Sequence, residues 1–443
     1  MKKLIESKYN YTTYFEENVI CLNGISKQML MFKSSEYEHI FKNLILKDNF
    51  TKAYPSLSLK LLELGFLIEN DYEELDNIRF RHNLDIFSSN IYWLTINPTL
   101  DCNLNCWYCD INKTNRHIGK SMNGTIKGRI KLFIDKLIYE KKVAGIHLDW
   151  FGGEPMLYFN EVIKPLSVYA QKAAIRNELS FSNHITTNGL IISKSSLDSF
   201  REIGLNSFQI TLDGCEEKHN KIRALAGKSS FKEIVQNINA IGDNISDARI
   251  TLRINYDKTT LSNISSLVDK FSKKSKEKIL IDFQRVWQVG RVEADENLLL
   301  KNAINLFSES GFKISTYGFK IGKTHACYSD RYNHIAINYD GKVYKCTARG
   351  YNEENSIGYL DNQGELIIKN KKLYNMWFAS NNIENKYCLN CSFLPLCMGI
   401  CSQKKVDIRQ GKLLFKNACL KETSEINIDT FLINEAKKRM IIN

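Results

Sequence analysis

Cys102-Asn103-Leu104-Asn105-Cys106-Trp107-Tyr108-Cys109 is the stretch whose reading decides the fold. It follows an apolar, strand-like run at residues 91–98. Three thiolates on one loop, spaced by four and then three, can hold three irons of a [4Fe–4S] cube and leave the fourth iron open for chemistry. Zinc also takes cysteine pairs, and the stretch alone leaves that alternative standing. Outward from it, residues 145–151 read as a second strand that ends on Gly152-Gly153-Glu154-Pro155. Residues 181–187 read as a third, ending on Thr187-Asn188-Gly189, and residues 207–212 as a fourth, ending on Asp213-Gly214. Two more strands follow, at 250–256 and 279–284. Between strands, Ile130, Phe133, Ile134, Leu137 and Ile138 share one helix face, as do Phe231, Ile234, Val235, Ile238 and Ile241. Six strands alternating with helices predict a parallel α/β sheet. Each conspicuous polar motif falls just after a strand, at the C-terminal rim where barrel enzymes keep their chemistry.

The rest of the chain sets bounds. Its 443 residues suggest two to four domains. With 43% hydrophobic and 25% charged residues, sizeable cores are available and global disorder is excluded. No apolar run approaches the ~20 residues of a membrane helix. The start, Met1-Lys2-Lys3-Leu4-Ile5-Glu6, lacks the apolar stretch of a secretory signal, so a cytoplasmic protein with no membrane partner is expected. The net charge of +12 fits an acidic peptide or nucleic acid, although a solvated basic surface is its commoner meaning. Twelve cysteines in a reducing compartment point to metal or redox chemistry rather than disulfides. Cys21 and Cys215 stand apart from the two clusters and read as small, incidental residues.

In the first 85 residues, runs at 19–22 and 28–32 flank Gly24 as a hairpin. Ser34 is placed to cap a helix whose face holds Tyr37, Ile40, Phe41, Leu44 and Ile45. A second helix near 57–64 ends at Gly65 and runs into a short strand at 66–68. Helix, glycine and short strand form the closing pattern of a winged-helix module. A charged linker is expected from about residue 71 to 89. At the other end the pattern is Cys327-x13-Gly341-x4-Cys346, then Cys388-x2-Cys391-x5-Cys397-x3-Cys401, then Cys419. Asp340-Gly341 is a hairpin signal, which puts Cys346 at a hairpin end. Seven cysteines are too many for one tetrahedral site and one short of two four-thiolate sites.

Cys-x3-Cys-x-aromatic-Cys after a first strand, with Gly-Gly-Glu-Pro after a second, resembles the radical S-adenosylmethionine (SAM) superfamily. The likeness continues through Asn188-Gly189 and Thr211-Leu212-Asp213-Gly214 to His219 and Arg223. It implies a partial (β/α)6 barrel in which Cys102, Cys106 and Cys109 hold a [4Fe–4S] cluster whose open iron binds SAM. It further implies that Gly152, Gly153, Glu154 and Pro155 lie near the amino group of SAM, with Glu154 orienting it and the glycines letting backbone approach the ligand. Tyr108 would pack near the adenine, Thr211 and Arg223 would hold the carboxylate, and Asn188 would touch SAM or serve only as a turn residue. His219 is expected to be structural. The C-terminal pattern resembles the seven-cysteine SPASM domain, which carries two auxiliary iron–sulfur clusters. Carried over by position, Cys327, Cys346 and Cys401 would hold cluster I. Cys388, Cys391, Cys397 and Cys419 would hold cluster II. Ile321 stands where a further cluster I cysteine is found in relatives, so one iron is expected to lack a Cys ligand and to take water, a side chain such as His325, or a substrate thiolate. The N-terminal segment resembles the leader-recognition domains of ribosomal-peptide (RiPP) maturases, which add an extended peptide as a strand.

The domains expected are therefore 1–85 for peptide recognition, 90–310 for the barrel and 320–443 for the SPASM region. The activity implied is an oxidoreductase in which three [4Fe–4S] clusters and SAM generate a 5′-deoxyadenosyl radical. The radical takes hydrogen from a precursor peptide, and a thioether, carbon–carbon or ether cross-link forms. A flavodoxin or ferredoxin would supply electrons, and no nucleic acid is expected as a partner. The alternatives are an anaerobic sulfatase maturase that makes formylglycine, disfavoured by Thr347 where an acidic residue is expected, and a zinc-binding winged-helix DNA-binding protein. Arg285 and Arg291 could face the peptide channel or solvent.

Overall fold

The computed structural model describes residues 3–40, 50–88, 90–109, 111, 118–223, 229–286, 288, 295–315, 319–379, 382–423 and 428–439. The chain divides into two compact units. Met1–Ser88, Thr316–Arg331 and Trp377–Asn443 form one; Ser89–Ser315 and Tyr332–Met376 form the other.

In the first unit, β1 (Leu4–Glu6), β2 (Asn10–Phe15), β3 (Asn18–Asn23), β4 (Met29–Lys33) and β5 (Leu67–Glu69) make two small antiparallel sheets. One has the order β2-β3-β4 and the other pairs β1 with β5. The hairpin read at 19–32 is β3–β4. The strand β2 before it, rich in Tyr and Thr, is an addition to the sequence reading. Ser34 opens its helix but does not cap it: the cap position is Lys33, which makes no side-chain bond. Phe41, Leu44 and Ile45 lie outside the described residues. The second helix runs Pro55–Glu63, with proline in its first turn, and Gly65 follows at φ +80°. The expected charged linker is instead a helix, Glu74–Ser88, whose buried Ile78, His82 and Ile86 recur at i, i+4 and i+8. Most of its charges, Asp76 and Arg81 among them, lie off that face, so composition alone hid its periodicity.

This unit also holds most of the C-terminal cysteine region. Tyr9 and Ile78 pack with Ile383, Cys388, Leu394 and Met398. Tyr11 and Leu22 pack with Phe319, Leu396, Phe431 and Leu432, the last two from the helix Ile428–Lys438. The N-terminal module and residues 382–439 therefore share apolar cores.

The second unit is built on β6 (Ile91–Ile96), β7 (Gly145–Trp150), β8 (Ser180–Thr187), β9 (Leu205–Leu212), β10 (Arg249–Tyr256) and β11 (Ile279–Arg285). All six pair in sequence order and in parallel, with β12 (Lys313–Ile314) added at one end. This is the partial (β/α)6 barrel. The helix Gly124–Tyr139 buries Ile130, Phe133, Ile134, Leu137 and Ile138, and Ser230–Asn244 buries Phe231, Ile234, Val235, Ile238 and Ile241, as the spacings predicted. Asn123 and Ser229 cap these helices by accepting the Ile126 and Lys232 backbone N–H groups. Along each strand an apolar set is fully buried under the helices. On β7 this is Ile146, Leu148 and Trp150. The alternate set, including His147 and Asp149, occupies the other face and lines the barrel interior.

The sheet does not stop at β6. β13 (His334–Ile337) pairs parallel to it, and β14 (Lys342–Tyr344), β15 (Gly358–Leu360) and β16 (Leu366–Ile368) continue antiparallel, giving eleven strands in one sheet. The β13–β14 hairpin turns at Gly341, φ +83°, where the sequence placed it.

Candidate functional site

The cysteine loop leaves β6 through Thr99 and Asp101, which fasten it to the Gly-Gly-Glu-Pro turn. The Gly153 N–H donates to the Thr99 carbonyl at 3.1 Å, and the Glu154 N–H donates to that of Asp101 at 2.7 Å. The Asp101 carboxylate accepts the N–H groups of Cys102 and Gly119, both at 2.8 Å. A Cβ on Gly152 (φ +121°) would lie 2.3 Å from the Thr99 oxygen, and one on Gly153 would lie 2.0 Å from that of Asp101. The two glycines thus admit the chain's own backbone, a close approach that the sequence reading had assigned to the ligand.

Glu154 is fully buried. Its Oε1 accepts the Met156 N–H at 2.9 Å and the Thr187 hydroxyl at 2.7 Å, and its Oε2 accepts the Asn188 N–H at 2.7 Å. Burial raises its carboxyl above the ordinary range; these three donors and the Arg223 charge oppose the rise. The carboxylate therefore ties the end of β7 to the end of β8, which differs from a role confined to orienting a ligand. Pro155 opens a short turn, Pro155–Tyr158. Asn188 accepts the Leu190 N–H at 2.9 Å as a turn residue and donates to Asn103 inside the cysteine loop at 2.7 Å.

Across the rim, Tyr108 donates to Asp213 Oδ1 at 2.7 Å and accepts from Arg223 Nη2 and Asn255 Nδ2, both at 2.8 Å. Arg223 Nε pairs with Asp213 Oδ2, both groups almost wholly buried. Part of the guanidinium that the sequence assigned to a carboxylate ligand is thus held by a carboxylate of the chain itself. Thr211 stands at the end of β9, and its hydroxyl takes no partner among the described residues. His219 is buried, accepts the Asp213 N–H at 3.3 Å, and has its pKa lowered to about 3, chiefly by burial and next by Arg223, which suits the structural part expected. Thr187 and Asp213 stood in strand-end motifs of the sequence without a role of their own, and Asn255 was not singled out. For Asp213 a signal existed, an acidic residue between a strand end and a glycine.

Cys102, Cys106 and Cys109 are gathered here. Burial and then the Glu154 charge push the Cys102 thiol up to about 12, with Cys106 and Cys109 as further neighbours. Cys106 is raised by burial and lowered by Arg223. Such thiols would be inert without a cation to take their charge. Among the described residues, no three His, Cys, Asp or Glu side chains converge on a single metal ion. Three thiols on one loop suit a [4Fe–4S] cluster, in which each sulfur serves its own iron.

The same chemistry recurs in the other cysteines. Cys388, Cys391, Cys397 and Cys419, the set assigned to cluster II, all fall in the first unit, and after burial the charges of Cys419 and Cys391 raise the Cys388 thiol to about 11. Asn385 Nδ2 donates to Cys388 Sγ at 3.1 Å. Cys327 faces Cys401, and Asp330 accepts the Cys327 N–H at 2.8 Å and the Ser402 N–H at 3.3 Å. Cys346 follows β14 in the barrel unit. Backbone N–H groups two residues on donate to the sulfurs of Cys102, Cys346 and Cys397 at 3.3–3.5 Å. Hydrogen bonds to sulfur are one of the means by which proteins set cluster potentials. Ile321 packs in the apolar core around Tyr11 and Phe319. His325 Nδ1 pairs with Asp85; burial would raise the Asp85 carboxyl, but His325, Thr324 and Arg331 pull it down to about 2. Arg285 is bound to Glu296 by two contacts, at 2.8 and 3.3 Å, and Arg291 lies outside the described residues.

The radical SAM superfamily profile matches residues 96–267, and that of SPASM, an iron–sulfur cluster-binding domain, matches residues 327–392. Among curated proteins the chain is similar to the Fe-coproporphyrin III synthase of Methanosarcina barkeri (strain Fusaro / DSM 804), 24% identical over 228 residues. The match covers 50% of this chain and 52% of that protein, so the chain spans about half the length of this relative. Native anSMEcpe with bound AdoMet has a similar fold, with a TM-score of 0.57 and 18% identity over 79% of this chain and 100% of the other. Streptococcus suis SuiB matches with a TM-score of 0.52 and 15% identity over 94% of this chain and 99% of the other. Family and fold together replace the zinc and DNA-binding alternative. No helix among the described residues is long and apolar enough to cross a membrane.

Proposed function

The chain is a radical SAM superfamily enzyme with a SPASM domain, and from that membership we propose that it cross-links a ribosomally made precursor peptide. The observation that carries this reading is the joining, in one compact unit, of a small β-sheet module with the cysteines Cys388, Cys391, Cys397 and Cys419. A peptide-capturing sheet built into the frame of an auxiliary cluster suits an enzyme whose substrate is itself a peptide. Solved relatives of similar fold agree in kind: anSMEcpe is known with bound AdoMet and Cp18Cys peptide, with a TM-score of 0.56.

Cys102, Cys106 and Cys109 would hold the SAM-binding cluster, and Cys388, Cys391, Cys397 and Cys419 would hold cluster II; Cys327 and Cys401 would serve auxiliary cluster I, to which the family spacing also assigns Cys346. When bound, the first cluster and SAM supply a 5′-deoxyadenosyl radical that removes a hydrogen atom from a C–H bond. The protein positions the reactants. Backbone at Gly152–Pro155, the Thr211 hydroxyl and the outer N–H groups of Arg223 bind SAM, while Tyr108 and Asp213 hold Arg223 in place. The β4 edge accepts the leader as an added strand. A flavodoxin or ferredoxin supplies electrons. Cluster I lacks a fourth cysteine, and the Asp85–His325 pair would leave Nε2 as the histidine's ligating atom.

The test is anaerobic reaction of the reconstituted protein with SAM, reductant and the peptide encoded beside its gene. A cross-link removes a pair of hydrogen atoms and leaves a fragmentation gap across the joined residues. Conversion of a Cys or Ser to formylglycine, or no change in the peptide, would overturn the reading.

A further inference from the structure

One layer inside the barrel, below the rim, lies a polar group that no part of the SAM site uses. Thr95 on β6, Asp149 on β7 and His184 on β8 stand side by side in strand register. Register neighbours on one face of a parallel sheet bring their side chains together. The Thr95 hydroxyl lies 3.2 Å from Asp149 Oδ2 and 3.1 Å from Nε2 of His334 on β13. His184 Nε2 is 3.8 Å from Asp149 Oδ1, and its Nδ1 is held by Ser207 at 2.9 Å. Oδ1 itself accepts no hydrogen bond among the described residues. The next layer holds His147, bound to Ser182 at 2.7 Å and packed at a tilt against Trp93, with ring centroids 4.2 Å apart. Asp149 is three residues before Gly152, about 10 Å along the strand. The Asp149 side chain keeps 18% of its surface, none of it at Oδ1.

We propose that Asp149 is the proton acceptor of the cross-linking reaction. The inference rests on the function proposed above but holds for any of the three bond types. Hydrogen-atom transfer from the precursor to the deoxyadenosyl carbon leaves a carbon-centred radical. Closing the cross-link forms a bond from that carbon to a sulfur, oxygen or carbon of the peptide and breaks the S–H, O–H or C–H bond of the partner. One proton and one electron remain. The electron would go to an oxidised auxiliary iron–sulfur cluster, and the proton goes to the Asp149 carboxylate. Burial drives this carboxyl up to about 7 against the Thr95 hydrogen bond, so near neutral pH it can both accept and release a proton. Burial and then the Arg249 charge lower His184 to about 4, so His184 stays neutral beside it. Thr95 and His334 continue the chain of hydrogen-bonding groups away from the chamber.

The experiment uses the anaerobic, cluster-loaded enzyme and a precursor deuterated at the reacting carbon. Asp149→Asn should still pass deuterium into 5′-deoxyadenosine while cross-linked peptide falls by about 10²-fold or more, the usual worth of a general base. Without SAM, an infrared carboxylic-acid band should titrate near neutral pH in the parent protein, vanish in Asp149→Asn, and shift to higher pH in Thr95→Val. Cross-linking by Asp149→Asn at the parent rate would overturn the proposal. So would loss of deuterium transfer in step with the cross-link, which marks a positioning role, or absence of the titrating band. If the parent enzyme forms no cross-link at all, the function proposed above fails, and the infrared titration still reports on Asp149.

Discussion

Arg223, Asp213 and Tyr108 interlock at the rim, and their burial makes them mutually dependent. Removing one partner of a buried ion pair strands the other charge, at a cost of about 3–5 kcal/mol. Asp213→Asn should lower the melting temperature and weaken SAM binding together, whereas substituting the exposed Arg201, paired with Asp198 at the surface, should change neither measurably. A spectroscopic SAM titration with a parallel melt checks both. Asp149 makes a pH prediction. Its folded pKa, about 7, exceeds the unfolded carboxylate value, so the native state binds the extra proton. Its contribution to stability is complete below about pH 4 and is lost as pH rises through 7. Asp149→Asn, which cannot ionise, should gain stability relative to the parent on going from pH 5 to pH 8, by as much as a few kcal/mol. Melting curves at both pH values decide it. Glu154 shows what a motif carries and what it leaves out. The motif marked its place, but its bonds to Thr187 and Asn188 depend on parallel pairing that the sequence does not display.

At the scale of elements, most of the barrel was legible. Its six strands and two of its helices follow from apolar periodicity, because each strand is buried on one face by a helix. The helix before the barrel and the pairing of β13 were not. The helix Glu74–Ser88 buries one narrow apolar stripe beneath many charges and read as linker. Strand β13 belongs to the barrel sheet through pairing with β6, across more than two hundred residues, and nothing local in its sequence signals that. The cysteine loop depends on the glycine turn beside it. Gly153→Ala would set a methyl against the Asp101 carbonyl and move the loop. The expected result is a folded barrel, judged by far-ultraviolet circular dichroism, that loses about a third of its iron on reconstitution because one of three clusters fails to assemble.

For the molecule as a whole, the division into two units changes how peptide recognition can be tested. The sequence pattern suggested an N-terminal domain at 1–85 and a C-terminal one at 320–443. The N-terminal strands instead share cores with the segment that carries Cys388, Cys391 and Cys397. Deleting the first 85 residues would expose those cores and disturb cluster II, so it cannot isolate leader binding. A point change can. Met31→Glu places a charge on an exposed apolar side chain of β4. It should weaken precursor affinity by about ten- to a hundredfold, the worth of one apolar anchor, without altering 5′-deoxyadenosine release. Fluorescence anisotropy with labelled precursor measures the first quantity and chromatography the second.

The central claim concerns three thiols of one loop. Cys102→Ala, Cys106→Ala and Cys109→Ala, combined in one protein and reconstituted without oxygen, should retain the iron of the auxiliary sites yet release no 5′-deoxyadenosine from SAM on reduction. Release at the parent rate from that triple variant would contradict the account.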